Sequence, residues 1–334
     1  MSLPPSEIPL GAMRFNSDSQ KLEYWIGSAW MQIQTFSPNL GNSTAGVRGT
    51  FAGGFSPSNS DRIDFITIPT TGNATDFGNL IAAKGAAGTC ASNTRGLMGG
   101  GGGGGNVNTI QFWTFSSIGD AVDFGDLTSS RHWTQPASNQ TRGVWAGGHP
   151  SSNVIEFVTM ASAGNSVNFG DMSYVTAVGA NSANNSPTRG FFGGGTPTNN
   201  NIIEFINFGS TGNSMDFGDS STQIAREARG SNATRALLIG GVRPEPSAST
   251  IIDFFTMSSL GNATSFGDAG SSISNSSGCS DCVRVAFAHG NNPSTTDTIE
   301  YINISTGGDA VDFGNLSQSR DHMGGCSNGH GGLG

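Results

Sequence analysis

The sequence predicts an all-β protein, a six-bladed β-propeller of four-stranded blades preceded by a short N-terminal β module. Three observations carry this: a phrase that recurs six times, a strand in each copy that is apolar on both faces, and a segment of small side chains between copies. The clearest copy runs from Arg48 to Leu80 as RGTFAGGFSPSNSDRIDFITIPTTGNATDFGNL. The phrase returns from Arg95, Arg142 and Arg189 and, with a degraded opening, from Arg235 and Arg284, so that the starts lie 47, 47, 47, 46 and 49 residues apart. A period of this length and regularity marks a repeated supersecondary unit.

Within a copy the strands are readable in order. RGTFAGG, Arg48 to Gly54, is a strand that ends in two glycines, and a polar loop of variable length follows. Ile63 to Ile68 makes the second strand, with Ile63 and Phe65 on one face and Ile66 and Ile68 on the other, because side chains alternate along a strand. Both faces are apolar, so the sheet is covered on both sides. Thr70-Thr71-Gly72-Asn73 turns tightly into a third strand, Ala74 to Phe77; Gly119-Asp120, Gly164-Asn165, Gly212-Asn213, Gly261-Asn262 and Gly308-Asp309 repeat that turn. About 15 residues rich in Ala, Ser and Gly then precede the next Arg-Gly, and they supply a fourth strand suited to the crowded axis of a ring.

The ends differ from the repeats. Residues 1–35 carry GAMRFN, KLEYWIG and AWMQI, three short strands of a meander too small to be stable alone; residues 36–47 read as a linker and 48–334 as the propeller. The last stretch, HMGGCS from His322 followed by Asn328 to Gly331, matches Ala91-Ser-Asn-Thr-Arg-Gly96 and then stops. It is expected to complete the first blade by pairing residues 321–328 beside 48–54, which removes an exposed edge.

The order Gly-Gly, acidic-aromatic strand, closing aromatic, as in Gly53-Gly54, Asp64-Phe65 and Phe77 or Gly147-Gly148, Glu156-Phe157 and Phe169, resembles the kelch repeat family over residues 48–334. The chain departs from that family in its preference for Phe and in its D-F-G-D/N ending. The stretch GAMRFNSDSQKLEYWIGSAW and the R-G-x-F-x-G-G…G-N-x-x-D-F-G-D-L repeats are similar to virion-associated and tail-fibre proteins of marine tailed bacteriophages. That resemblance implies a structural protein of the virion, made in the host cytoplasm without a signal peptide.

Composition narrows the partners. With 15 Lys plus Arg against 24 Asp plus Glu, the net charge of −9 disfavours a nucleic-acid backbone or an anionic membrane. No apolar run is long enough to span a bilayer, and the N-terminus shows no secretory leader. The four cysteines are too few for a disulfide framework; Cys279 and Cys282 have C-x-x-C spacing without the second ligand pair of a zinc site, leaving free thiols or a local disulfide.

Several patterns suggest chemistry and are better read as structure. Asp-Phe-Gly occurs repeatedly, with Asn168 and Ser265 in place of Asp in the third and fifth copies, and without the lysine, catalytic loop and nucleotide loop of a kinase; the aromatic at this position, Phe77, Phe124, Phe169, Phe217, Phe266 or Phe313, is expected to fill a blade core. The accompanying carboxylates leave Ca²⁺ as an open alternative, although no D-x-D-x-D-G loop is present. Arg48, Arg95, Arg142, Arg189, Arg235 and Arg284 open the same strand in every copy, so they are expected to bond turn carbonyls or acids of a neighbouring blade. The run Gly99 to Gly105 lacks the Lys-Ser/Thr of a phosphate loop and reads as a flexible loop, and the five histidines form no catalytic grouping.

What differs between copies is the loop after Gly-Gly and the segment entering each inner strand. Variable loops on a rigid scaffold are where binding concentrates, so His132, Trp133, His149, Arg226, Arg229 and Arg243 are candidate binding residues on one rim. Trp133 and Trp145 have the chemistry to stack on sugar rings, with burial the alternative fate of either. No cofactor is expected. Three functions follow: a non-enzymatic adhesin for a host-surface glycan or protein, attached to other virion proteins through residues 1–35, with a homo-oligomer as a further option; a capsid or tail decoration that binds virion proteins alone; and a polysaccharide-acting enzyme.

Overall fold

A computed structural model describes residues 8–16, 21–32, 47–196, 200–244, 247–292 and 294–333, in two units, 1–40 and 41–334. The described residues are all-β, apart from one 3₁₀ turn at Gly331–Leu333, and every named strand pairing is antiparallel. Their sheets are arranged in a manner consistent with a β-propeller.

The first unit is a three-stranded meander, Met13–Asn16, Lys21–Trp25 and Trp30–Gln32. The pairings Met13 with Tyr24 and Tyr24 with Met31 put these three side chains on one face, with Phe15 beside them; all four are exposed. The other face is consolidated: Trp25 and Trp30 pack with ring centroids 5.5 Å apart, and Arg14 lies over Trp30 while bonding the buried Glu23 at 2.9 Å. The expected linker lies almost wholly outside the described residues.

Among its described residues the second unit contains six four-stranded sheets of one design. Sheet 2 shows it: Gly88–Ala91, Arg95–Gly99, Thr109–Thr114 and Val122–Asp126, each paired to the next. Sheets 3 to 6 begin at Gln135, Asn184, Ala228 and Ser277. Sheet 1 takes Arg48–Ala52, Arg62–Thr67 and Thr75–Asn79 from the first repeat and its remaining strand, Gly324–Ser327, from the end of the chain, with Gly324 opposite Ala52 and Ser327 opposite Gly49. The pairing expected for residues 321–328 is therefore present, shorter at both ends.

The apolar faces pack sheet on sheet. Ile63 and Phe65 join Met98 and Trp113 between sheets 1 and 2, while Ile66 and Ile68 join Ala286, Ile299 and Phe313 between sheets 6 and 1. Four further clusters fill the successive gaps from sheet 2 to sheet 6. The Phe of each D-F-G sits at a register shift in the outer strand: Ile63 faces Gly78 and Asp64 faces Asp76, so Phe77 is the extra residue of a bulge. The same shift recurs in the other five sheets, and all six Phe side chains are buried.

The D-F-G glycine and the Gly-Asn turn, far apart within a repeat, interlock between repeats. Gly119 N–H donates to Phe77 O at 2.9 Å, and Asp120 Oδ1 accepts from Asn79 N–H at 2.9 Å. The pattern continues through Gly164, Gly212, Gly261 and Gly308, and then from sheet 6 back to sheet 1, where Gly72 N–H donates to Phe313 O at 2.8 Å. At Gly78 a φ of +148° and a carbonyl 2.4 Å from where a Cβ would stand leave room for glycine alone.

Candidate functional site

The six repeated arginines reach the next sheet. Arg48 donates to Phe115 O at 2.5 Å, Arg142 to Phe208 O at 2.6 Å and Arg189 to Met257 O at 2.9 Å; Arg95 and Arg235 each bond two consecutive carbonyls. Arg284 bonds Pro69 O at 3.0 Å, again from sheet 6 to sheet 1. Each guanidinium also covers an aromatic ring of its own sheet, as Arg48 covers Phe65 at 5.0 Å. Turn carbonyls, rather than neighbouring acids, are the partners.

The acids of the second strands are buried and are answered from several places. Asp64 pairs with Arg320 at 2.7 Å, Glu156 with Arg131, Asp253 with Arg243, and Glu300 with His289 at 3.1 Å. Glu204 accepts instead from the hydroxyls of Ser173 and Ser214. A buried carboxylate needs such a partner because desolvation of an unpaired charge costs several kcal/mol, on the order of 3–5 when one partner is removed.

Two candidate binding residues are thereby corrected. Arg243 is buried, donating to Gly240 O at 2.8 Å as well as to Asp253, and Arg229 is buried against Glu227 at 2.5 Å while bonding Gly193 O at 2.8 Å. Neither guanidinium faces solvent, because a buried acid lies within its reach. Trp145 is likewise in the core between sheets 2 and 3, its indole N–H donating to Gly88 O at 2.9 Å. Cys279 lies in the apolar cluster between sheets 6 and 1, where burial pushes its thiol well above the ordinary value.

Three of the remaining candidates, His132, Trp133 and His149, come together. In each of the first five repeats the residue after Gly-Gly, and in the sixth the residue after His289-Gly290, pairs by a backbone bridge with the segment entering an inner strand: Phe55 with Asp321, Gly85 with Gly102, His132 with His149, Val178 with Thr196, Ala225 with Val242, and Ser274 with Asn291. These bridges bring the two variable sets to one end of the sheets. At the His132 bridge the rings lie 4.9 Å apart, and His132 packs on Trp133 at 4.5 Å. Trp133 meets His322 at 5.9 Å, and His322 meets Phe55 at 5.4 Å. The result is one arc, Phe55–His322–Trp133–His132–His149, in which His149 is exposed and the rest are half-buried. Burial first, then the neighbouring His149 and His322, pull His132 down to about 4, so this imidazole is neutral at ordinary pH. Arg226 is half-buried at the same level of its own repeat.

Phe55 and His322 were not singled out by sequence, since they lie 267 positions apart; only the pairing of the last strand with the first repeat makes them neighbours. Among the described residues no group of three His, Cys, Asp or Glu side chains is placed to hold a metal ion. No protein-family model matches the chain, and no curated protein matches it.

Proposed function

We propose that the six sheets are the blades of a closed, kelch-like β-propeller, and that the protein is a non-enzymatic virion protein of a tailed bacteriophage that displays this propeller for adhesion to a glycan or protein of the host surface. Support for closure comes from the sixth sheet, which joins the first by the same Arg-to-carbonyl and turn-to-D-F-G hydrogen bonds used at the other junctions. Support for a binding role rests on one observation. The repeated charged residues are spent on contacts between blades, whereas the residues that differ between repeats gather at one end around Trp133. Rigid scaffolding with variation concentrated on one rim is the arrangement of a recognition surface. The exposed apolar face of Met13, Phe15, Tyr24 and Met31 supports attachment to other virion proteins through the N-terminal module. Many copies on one particle would then add avidity to a weak single site.

The test is adsorption of the labelled full-length protein to a panel of marine bacterial cells, with and without periodate oxidation of surface sugars. Saturable binding to some strains supports adhesion, and its loss after periodate identifies a glycan. Absence of binding to every strain, with co-purification on virions, favours the decoration reading; degradation of a surface polymer favours the enzyme.

A further inference from the structure

A single backbone position recurs just ahead of the inner strands, at Ala86, Trp133, Arg226, Asn275 and His322, and all five are held at φ between 53° and 62°. They follow one another about the axis through backbone hydrogen bonds: Trp133 N–H to Ala86 O at 2.5 Å, Ala86 N–H to His322 O at 2.8 Å, and His322 N–H to Asn275 O at 3.0 Å. Left-handed backbone brings a Cβ close to the following carbonyl oxygen and is unfavourable for any residue that has one, whereas glycine adopts it freely. Trp, Arg and His at this position are therefore strained where glycine would not be, and strain of this kind points to a role for the side chain.

The fourth repeat leaves the pattern. After Gly179 its chain reaches sheets 2 and 1: Thr89 donates to Asn181 O at 3.1 Å, and Ser182 makes a parallel bridge with Gly325 of sheet 1. Ala86, the smallest of the five side chains, stands between Trp133 and His322 and lets their rings meet.

The rings of the arc select among ligands. Successive rings of the arc are inclined by 82°, 35°, 47° and 59°, so neighbouring rings form no parallel-sided slot for a flat ring. Trp133 Nε1 and His132 Nδ1 are enclosed and have no hydrogen-bond partner among the described residues, whereas the imidazole of His149 is exposed. Half-buried aromatic surface ending in an exposed imidazole suits a ligand that has an apolar face edged by hydroxyls. Resting on the adhesive reading above, we propose that this arc is a saccharide subsite: the C–H face of a hexopyranose seats on Trp133, and its hydroxyls reach the imidazoles of His132, His149 and His322.

The test uses full-length protein labelled with 5-fluorotryptophan, in which the Trp133 fluorine signal is identified by its loss in Trp133→Phe. The probes are the methyl pyranosides of glucose, galactose, mannose and N-acetylglucosamine, with adenosine as a flat comparator. A saturable shift of the Trp133 signal with at least one pyranoside, the other four tryptophans staying still, is the expected result. No shift with any pyranoside, or a shift with adenosine alone, overturns the proposal. Trp133→Gly, whose backbone fits glycine without strain, and the exposed-site variant His149→Ala should each weaken adsorption to a periodate-sensitive strain by tenfold or more. Adsorption unchanged in both variants also overturns the subsite while leaving adhesion standing. A sugar-dependent Trp133 shift in a wild-type protein that adsorbs to no strain supports the subsite and removes adhesion instead.

Discussion

His330 stands at the end of the chain and fills a gap among the inner strands. Along the last residues of those strands a belt of side-chain hydrogen bonds runs from sheet to sheet: Ala91 N–H to Ser138 Oγ at 3.0 Å, Ser138 N–H to Asn185 Oδ1 at 2.9 Å, Asn185 N–H to Ser231 Oγ at 3.0 Å and Ser231 N–H to Ser280 Oγ at 3.1 Å. Ala91 has no hydroxyl to continue the belt, and His330 Nε2 lies 2.8 Å from Ala91 O instead. Burial pushes this imidazole down to about 4, with the Ala91 carbonyl pulling weakly the other way. An unfolded histidine titrates near 6.5, so below that pH the unfolded chain takes up a proton that the folded chain refuses. Stability from this residue is complete above about pH 6.5 and falls as the pH drops toward 4, by roughly 3 kcal/mol in all. Thermal midpoints at about pH 7 and about pH 4.5 should therefore differ less in His330→Gln than in the natural chain; an equal difference would refute the assignment. At the same scale, Trp145→Ala should cost roughly 3–5 kcal/mol in chemical denaturation, because it empties the core between sheets 2 and 3 and orphans Gly88 O.

At the scale of the element, the D-F-G bulge and the Gly-Asn turn form one joint that neither makes alone. Asn213 Oδ1 accepts from Asp171 N–H at 3.0 Å at an exposed junction, so Asn213→Ala should cost only about 1 kcal/mol. Gly170→Ala meets a harder limit, since a Cβ there would stand 2.2 Å from Gly212 O on a backbone at φ +157°. Its expected cost is larger, roughly 2–4 kcal/mol, because two sheets must separate to admit one methyl group. Denaturation midpoints for the two variants would decide the order; equal costs would mean that the joint is looser than its geometry. The sequence marked both motifs by their recurrence. It could not show that they meet, because the partner of each lies one repeat away.

At the scale of the whole molecule, Gly324–Ser327 ties the end of the chain to the first repeat. A chain that stops at His322 would leave Arg48–Ala52 as an unpaired edge and would also lose His330 from the inner belt. Such a chain should unfold over a broader range of denaturant and elute as aggregate in size-exclusion chromatography. Sharp unfolding with a monomeric elution volume would show that the last strand is dispensable.

Periodicity by itself determined the number of repeats, the four strands in each, the faces on which Ile63 and Ile66 lie, and the return of the last segment to the first sheet. All of these follow from local spacing and from the alternation of side chains along a strand. Only the tertiary structure decided which cation answers each buried acid, and so withdrew Arg229 and Arg243 from the surface while leaving His132, Trp133 and His149 on it. It alone placed Phe55 and His322 beside Trp133 and brought Ser182 against Gly325 of sheet 1. The physical reason is distance along the chain: a strand's pattern is set by neighbours two residues away, whereas a buried charge or an aromatic cluster is set by whatever the packing of the sheets brings within a few ångströms.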